Sequence, residues 1–246
     1  MQLSVTTATL SVLVAVVSSL PTPLDDGAVH DLTHPAKPIR EALLRSTPWP
    51  VRFDLNKAAL IIVDMQKGAL KEAAEHAGLA LVAPINKTLA AARAANVTVV
   101  WVQWGVRADY AEWIGEENAG WYTPPVAGTD DARIYPGLDV QPTDSHVNKH
   151  RESGFYQSQL NDLLRFQGRR TLFFAGINSD MCVYGTMLDA SWLGYDTFMV
   201  DDLLATMSPK STFAAYLSTG SRHRTTSHDL IAAFETASSS PGGSAL

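Results

Sequence analysis

The chain has 246 residues, of which 46% are hydrophobic and 18% are charged. This length and composition are typical of one globular domain with a large core. The net charge of -6 argues against a nucleic-acid backbone as a partner, and the single cysteine excludes a disulfide within the chain. No run of like charges, internal repeat or zinc-type cluster of cysteine and histidine is visible in the sequence.

The two ends of the chain differ in composition from the middle. Residues 8–20 form an apolar run that is too short for a membrane span but suits the core of a signal peptide. No Lys or Arg precedes this run, so a loosely packed extension is an equally good interpretation. A signal peptide predicts a secreted protein, and otherwise we expect a cytoplasmic one. We predict an N-terminal extension at 1–50, irregular from residue 21, then a domain at 51–237 and a disordered tail at 238–246.

Two unbroken apolar runs predict buried parallel strands in the first half of the domain. Ala58–Val63 has no alternating polar residues, and neither does most of Val97–Gln103. Between them, Leu79–Asn96 has apolar residues at helical spacing. Residues 105–148 show no periodicity, so we expect a long loop with a functional role.

The second half of the domain continues the alternation of strands and helices. The predicted elements are a helix at 157–166, a strand at 171–175, a helix at 183–193, a strand at 197–200, a helix from Ser208-Pro209, a short strand at 224–226 and a helix at 229–237. This order predicts an α/β fold with three α/β/α layers around a central, mostly parallel sheet. Ligands bind such folds beyond the C-terminal ends of the strands.

Chemically useful side chains follow three of the predicted strands. Asp64 follows the first, Gln103 and Trp104 end the second, and the segment that contains Cys182 follows the third. A lone thiol before a predicted helix is a candidate nucleophile, because the positive end of the helix dipole favours a thiolate. Taken alone, an Asp at a strand end usually caps the next segment, and Lys149 is an ordinary charged loop residue.

The segments around these residues resemble the isochorismatase-like cysteine hydrolases. The resemblance rests on Val63-Asp64-Met65-Gln66, on Lys149 followed by Ser153-Gly154-Phe155, and on Gly176-Ile-Asn-Ser-Asp-Met-Cys182-Val183 with Thr186, Ala190 and Gly194 behind it. It covers roughly residues 52–234. Each motif is weak by itself, but the order and spacing of the three are specific.

The resemblance implies a catalytic triad of Asp64, Lys149 and Cys182. The Cys182 thiolate would attack a carbonyl carbon, and the Lys149 ammonium would stabilise that thiolate. Asp64 would take the thiol proton and deliver it to the leaving amine. The family also has a cis peptide before the nucleophile, at Ile177-Asn178 here, which aims the backbone N–H groups of Asn178 and Cys182 at the developing oxyanion.

The position of several polar and aromatic residues makes them candidates for substrate binding. These candidates are Gln66, Gln103, Trp104, Phe155 and Tyr156. Ordinary core packing is the competing interpretation for each aromatic residue, and capping of the loop is the competing interpretation for Gln66. Asn178-Ser179 departs from many relatives, which have a small residue followed by Thr. Ser179 can replace the threonine hydroxyl, whereas Asn178 places a larger polar group beside the oxyanion position.

The thiol determines which reaction the resemblance favours. Family members that cleave C–N bonds in amides, carbamoyl and ureido compounds use the cysteine, whereas true isochorismatases cleave a vinyl ether and can lack it. The Lys149–Phe155 pattern is similar to the ureidoacrylate amidohydrolase and biuret hydrolase branches. Vinyl ether hydrolysis with release of pyruvate and an inactive binding protein stay open as alternatives. The resemblance also implies a small-molecule substrate and a homo-oligomer, with no nucleic-acid or membrane partner.

We expect no metal and no other cofactor. Nicotinamidases of this family bind a metal through an Asp-x-His pair and a further His after the first strand, where this chain has only His76. Asp144-Ser145-His146 has the spacing but lies just before Lys149, outside that region. His150 is predicted to be a solvated loop residue rather than a ligand.

Overall fold

The computed structural model describes residues 40–44, 51–73, 78–109, 124–208 and 224–239. The strands are β1 (Glu41–Leu44), β2 (Val51–Asp54), β3 (Ala58–Val63), β4 (Thr98–Trp104), β5 (Ser145–Lys149), β6 (Thr171–Gly176), β7 (Asp196–Leu204) and β8 (Arg224–Thr225). The α-helices are α1 (Lys67–Ala73), α2 (Val82–Ala94), α3 (Leu160–Phe166), α4 (Tyr184–Trp192) and α5 (Ser227–Ser239). Leu55–Lys57 and Leu79–Leu81 form 3-10 turns, and Ser179–Val183 forms a π-helical turn.

Strands β3 to β8 form a parallel sheet in the order β5-β4-β3-β6-β7-β8. The central strand β3 pairs with β4 on one side and with β6 on the other. The chain therefore builds the sheet outward from β3 in both directions. The carboxyl ends of β3 and β6 lie at this change of direction, which is where open parallel sheets form a ligand-binding crevice.

The side chains of β3 divide between two cores, one on each face of the sheet. Leu60 and Ile62 pack in the core that includes residues of α2 and α5. Ile61 and Val63 pack in the core that includes residues of α3 and α4. Burial on both faces explains why this strand has no alternating polar residues. The predicted three-layer α/β/α fold with a parallel sheet is confirmed.

Two segments have regular structure where the sequence predicts none. The loop predicted at 105–148 ends in β5, which pairs in parallel with β4 and whose last residue, Lys149, is fully buried. The irregular arm predicted at 21–50 is wrong at β1, which pairs with β2 and buries Ala42 and Leu44. Both strands are short, with only one to three apolar residues each, so neither gives a clear signal in the sequence.

The other predicted elements differ from the structure mainly at their ends. The helix predicted at 157–166 begins at Leu160, and the helix predicted at 229–237 extends over Ser227–Ser239. The strand predicted at 197–200 extends to Leu204. Residues 8–20 and most of the helix predicted from Ser208-Pro209 lie outside the described residues. Within the described ranges, no helix is long and apolar enough to cross a membrane.

Gly176 ends β6 in a backbone conformation that leaves no room for a side chain. Its φ is +116°, and a Cβ atom there would lie 2.1 Å from the carbonyl oxygen of Val63. We therefore expect Gly176→Ala to lower the free energy of unfolding by more than about 4 kcal/mol. Urea unfolding followed by circular dichroism measures this change.

Gly194 provides the matched control for this prediction. Its φ of +86° also disfavours a side chain, but no atom lies within 4 Å of a Cβ built there. Gly194→Ala should therefore cost only about 1–2 kcal/mol, from the left-handed backbone alone. Equal losses of unfolding free energy in the two variants would show that the contact with Val63 does not determine the cost at Gly176.

Candidate active site

Three ionisable side chains meet at the carboxyl edge of the sheet. Asp64 directly follows β3, Lys149 ends β5, and Cys182 lies in the π-helical turn between β6 and α4. In the parallel sheet Trp104, the last residue of β4, pairs with Lys149. All three side chains are buried, with exposed fractions of 5% for Asp64, 0% for Lys149 and 4% for Cys182. The structure thus brings together the three residues that the sequence predicts as a triad.

The Lys149 ammonium lies at the centre of this group. Its Nζ lies 2.9 Å from Asp64 Oδ2, and it donates to Cys182 Sγ at 3.3 Å and to the carbonyl oxygen of Arg151 at 3.0 Å. These contacts match the three N–H groups of an ammonium. The Trp104 ring covers the same nitrogen, with its centroid 4.0 Å away, and adds a cation–π contact. A charged lysine is therefore well accommodated despite its complete burial.

The position of Asp64 is fixed through its backbone. Its N–H donates to the carbonyl oxygen of Val102 at 2.9 Å, and its φ of +52° turns the chain out of β3. Aspartate tolerates this left-handed conformation better than most residues. Oδ2 pairs with Lys149, whereas Oδ1 is buried and makes no hydrogen bond with any described residue. That oxygen is free to accept a proton.

Burial dominates the electrostatics of the three groups. Burial raises the pKa of Asp64 above its ordinary value, although Lys149 opposes the shift. Burial lowers the pKa of Lys149, but the charges of Asp64 and Cys182 outweigh it, so this pKa is raised overall. Burial also strongly raises the pKa of the Cys182 thiol, Lys149 opposes the rise, and Asp64 adds to it. These shifts favour an ammonium at Lys149 and a protonated thiol at Cys182, and they make Asp64 more basic than an ordinary carboxylate.

Burial favours the protonated form of the Cys182 thiol. Desolvation raises its pKa by more than the Lys149 ammonium lowers it. A neutral thiol needs a base at the moment of attack. Asp64, with its unpaired Oδ1, is placed to serve as that base.

The raised pKa of Cys182 predicts how its reactivity depends on pH. The rate of alkylation by iodoacetamide should rise about tenfold per pH unit between about pH 6 and about pH 9, because the reactive thiolate stays a minor species. Cys182 is the only cysteine in the chain, so mass spectrometry of the intact protein reports this thiol alone. A rate that levels off below about pH 7 would contradict the account, since it would indicate a preformed thiolate.

Hydrogen bonds join the second half of the lysine motif to α4, the helix that follows Cys182. The Ser153 hydroxyl donates to Asp189 Oδ2 at 2.5 Å, and the Gly154 N–H donates to Thr186 Oγ1 at 2.9 Å. Thr186 in turn donates to the carbonyl oxygen of Cys182 at 2.6 Å. Because a Cβ on Gly154 would lie 3.2 Å from Thr186 Cγ2, glycine allows this close approach. The motif thereby fixes the distance between Lys149 and Cys182.

The chain segment before Cys182 presents backbone groups to the site. The peptide bond between Ile177 and Asn178 is cis. The carbonyl oxygen of Asn178 accepts hydrogen bonds from the N–H groups of Met181 and Val183, both at 3.1 Å. The N–H of Asn178 makes no hydrogen bond with any part of the chain that the structure describes. It is therefore available to a substrate oxygen.

A small, partly open pocket lies beside the thiol. Its walls are mostly apolar, and the polar groups on them belong to the candidate catalytic segment. The described lining residues are Asp64, Ala69, Trp104, Ile177, Asn178, Met181, Cys182 and Met207. Apolar walls with a few polar groups suit a small molecule that offers a carbonyl carbon to the thiol.

Of the five predicted substrate contacts, Trp104 lines this pocket and the others are not among its described lining residues. Gln103 points to the opposite face of β4, where its Nε2 donates to the carbonyl oxygen of Ala132 at 3.3 Å. The Phe155 ring packs on Tyr195 at 5.8 Å, and Tyr156 is half exposed. The alternation of side chains along β4 explains why two adjacent residues, Gln103 and Trp104, have different roles.

The buried Gln66 amide joins Trp104 to the segment at Ala132. Its Nε2 donates to the carbonyl oxygens of Trp104 and Ala132, at 2.8 and 2.7 Å. Its Oε1 accepts from the backbone N–H of Trp104 at 2.8 Å. Both ends of the amide are thus used within the protein, in agreement with the competing interpretation of Gln66 as a structural residue, and a contact of Gln66 with substrate stays a prediction. The side chain fixes the residue whose ring covers Lys149.

Four residues that line the pocket were not predicted from the sequence as pocket residues. Ile177 and Met181 lie within the cysteine segment, so their nearness to Cys182 could have identified them. Ala69 in α1 and Met207 after β7 carry no such signal. Only the order of strands in the sheet brings these two segments to the same pocket.

The two histidines weighed as metal ligands in the sequence make their contacts outside the pocket lining. His146 Nδ1 lies 3.0 Å from Gln103 Oε1, and His150 Nδ1 lies 3.2 Å from the carbonyl oxygen of Gly105. Over the described ranges, no group of three or more His, Cys, Asp or Glu side chains is arranged to hold a metal ion. The absence of a cofactor stays a prediction.

The fold and the site together define a hydrolase with three α/β/α layers and a buried cysteine at the edge of its sheet. The chain belongs to the isochorismatase family, because the family model of the isochorismatase domain matches residues 58–225. The matched range includes all three ionisable residues of the site.

Individual relatives and a solved structure agree with this assignment. The chain is 32% identical to the ureidoacrylate amidohydrolase RutB of Agrobacterium fabrum over 190 residues, which are 68% of this chain and 83% of that protein. It is 35% identical to the protein of the same name from Methylorubrum extorquens over 170 residues, 59% of this chain and 68% of the relative. The crystal structure of a cysteine hydrolase from Pseudomonas syringae superposes with a TM-score of 0.64 and 25% identity, covering 82% of this chain and 100% of that one.

Proposed function

We propose that this protein is a cysteine hydrolase that cleaves a C–N bond in a small amide, ureido or carbamoyl compound through a thioester intermediate. The observation that carries the proposal is the contact of one buried ammonium, Lys149, with both a carboxylate and a thiol. The relatives named as ureidoacrylate amidohydrolases support the same chemistry.

In the acylation step, Asp64 Oδ1 takes the proton from the Cys182 thiol as Sγ attacks the carbonyl carbon. The Lys149 ammonium stabilises the sulfur charge that develops. The backbone N–H groups of Asn178 and Cys182 stabilise the oxyanion of the tetrahedral intermediate. Collapse of this intermediate breaks the C–N bond, and Asp64 transfers its proton to the departing nitrogen.

In the deacylation step, a water molecule attacks the thioester carbonyl. Asp64, ionised again after the amine has left, takes a proton from that water. Cleavage of the C–S bond releases the acid, and the proton returns to the Cys182 sulfur. The raised pKa of Asp64 suits this repeated transfer, because it brings the carboxylate closer in basicity to the groups it exchanges protons with.

Product analysis of the purified full chain tests this proposal. A panel of simple amides, ureido compounds and carbamoyl compounds is incubated with the protein, and ammonia or amine release is followed. In parallel, isochorismate is supplied and pyruvate is measured. We expect release of ammonia or amine from at least one panel member. Pyruvate from isochorismate together with no C–N cleavage across the panel would overturn the proposal in favour of vinyl ether hydrolysis.

The assembly of the enzyme belongs to the same proposal. Family resemblance supports a homo-oligomer, and size-exclusion chromatography with light scattering would measure its mass. A monomer at micromolar concentration would remove this part of the proposal without affecting the chemistry of the site.

A further inference from the structure

Asn178 lines the pocket together with Cys182 and Met207. Its Oδ1 accepts a hydrogen bond of 3.2 Å from the backbone N–H of Met207. Only the oxygen end of an amide can accept from an N–H group, so this contact fixes Nδ2 at the opposite end. Nδ2 makes no hydrogen bond with the described residues, and two donor N–H groups are left for a ligand.

The amide of Asn178 is held in place before any ligand arrives. The backbone of the same residue is anchored by the bonds from Met181 and Val183 to its carbonyl oxygen. The next residue, Ser179, donates its N–H to the carbonyl oxygen of Ala205 at 2.9 Å. A donor held in this way loses less conformational entropy when it binds an acceptor, which favours its hydrogen bond with a ligand.

Asn178 therefore offers hydrogen-bond donors from two positions on one residue. The backbone N–H is free for the oxygen of the scissile carbonyl, and Nδ2 supplies further donors at the end of the side chain. We propose that Asn178 is a specificity-determining residue whose Nδ2 donates to a second oxygen of the substrate, next to the scissile carbonyl. This inference rests on the proposed function and narrows it to compounds that carry a second hydrogen-bond acceptor beside the scissile carbonyl.

Two small probes that differ by one carbonyl group test this inference. Acetylurea carries a second carbonyl beside the urea nitrogen, and ethylurea has a methylene group in its place. kcat/KM is measured for both by ammonia release, in the wild-type protein and in Asn178→Ala. We expect the preference for acetylurea to fall by about tenfold or more in the variant, because one hydrogen bond in the pocket is lost. The intrinsic difference in reactivity between the two ureas cancels in this comparison.

Asn178→Asp separates recognition of the substrate from support of the fold. Aspartate keeps an oxygen to accept from the Met207 N–H but removes the Nδ2 donor, so we expect the same loss of preference with little change in the urea unfolding midpoint. If kcat/KM falls by the same factor for both probes in both variants, the inference is overturned and Asn178 has only a structural role. Failure of the wild-type protein to hydrolyse any ureido or amide compound would instead overturn the proposed function, and this inference with it.

Discussion

Replacing Cys182 by alanine is expected to reduce kcat by at least about 1,000-fold, with little change in stability. The side chain supplies the attacking sulfur, and removal of a nucleophile in hydrolases of this type costs several powers of ten. Cys182 contacts the apolar core on the face of α3 and α4, but alanine fills most of that space. Initial rates of ammonia release against enzyme concentration give the ratio directly.

The Cys182→Ser variant is the matched control for this prediction. Serine keeps the size and a proton, yet its hydroxyl is a far weaker nucleophile at the same position, so we expect a loss of similar size. Both variants should keep the unfolding midpoint of the wild type to within about 1 kcal/mol. Full turnover by Cys182→Ala would show that the thiol is incidental and would exclude the thioester mechanism.

Lys149→Met is expected to lower both stability and turnover. It removes the counter-ion of Asp64 and leaves a buried carboxylate without a partner, which typically costs about 3–5 kcal/mol. The double variant Asp64→Asn with Lys149→Met removes both charges, so we expect it to regain about 2 kcal/mol or more of that loss. Hydrolysis should stay absent in the double variant, because both the base and the cation are missing. Urea unfolding and ammonia release measure the two effects separately.

A surface ion pair provides the comparison for the buried one. Lys67 pairs with Asp130 with side chains 35% and 64% exposed, in contrast to the fully buried Lys149. Lys67→Met should change the free energy of unfolding by no more than about 1 kcal/mol. Two results would contradict the importance assigned to the ion pair with Asp64. One is a loss of unfolding free energy in Lys149→Met no larger than in Lys67→Met, and the other is hydrolysis by the double variant.

The raised pKa of the Cys182 thiol implies different tasks for its two neighbours under the proposed mechanism. The Lys149 ammonium has no lone pair to take a proton, so we expect it to stabilise the charge that develops on sulfur. We expect Asp64 Oδ1 to take the thiol proton during attack on a bound carbonyl group. Such an arrangement would keep the single cysteine unreactive between turnovers, because the thiolate would form mainly when a substrate carbonyl is present to receive it.

The sequence was sufficient for the parts of the fold with strong local patterns. The unbroken run Ala58–Val63 and the alternation of strands and helices predict the central strand and the parallel sheet, and both are present. The carboxyl ends of parallel strands also predict that Asp64 and the Cys182 segment lie at one edge of the sheet, whereas the meeting with Lys149 was implied only by the family resemblance. These features depend on the order and local character of segments.

The remaining features depend on contacts between distant segments. Lys149 gives no sign of burial in the sequence, since β5 is a short edge strand in which only Val147 is apolar. Gln66 makes three hydrogen bonds to Trp104 and Ala132, which lie 38 and 66 residues away in the chain. Met207 reaches the pocket only because β7 lies beside β6. None of these partners can be identified from local pattern alone.

Trapping with hydroxylamine tests the thioester at Cys182 most directly. Two amides that share an acyl group and differ in the leaving amine are hydrolysed in the presence of hydroxylamine, and the hydroxamate and acid products are quantified. A common acyl-enzyme predicts the same ratio of hydroxamate to acid for both substrates, and neither product above background with Cys182→Ala. Ratios that differ with the leaving amine, or acid release with no hydroxamate at any hydroxylamine concentration, would contradict the account.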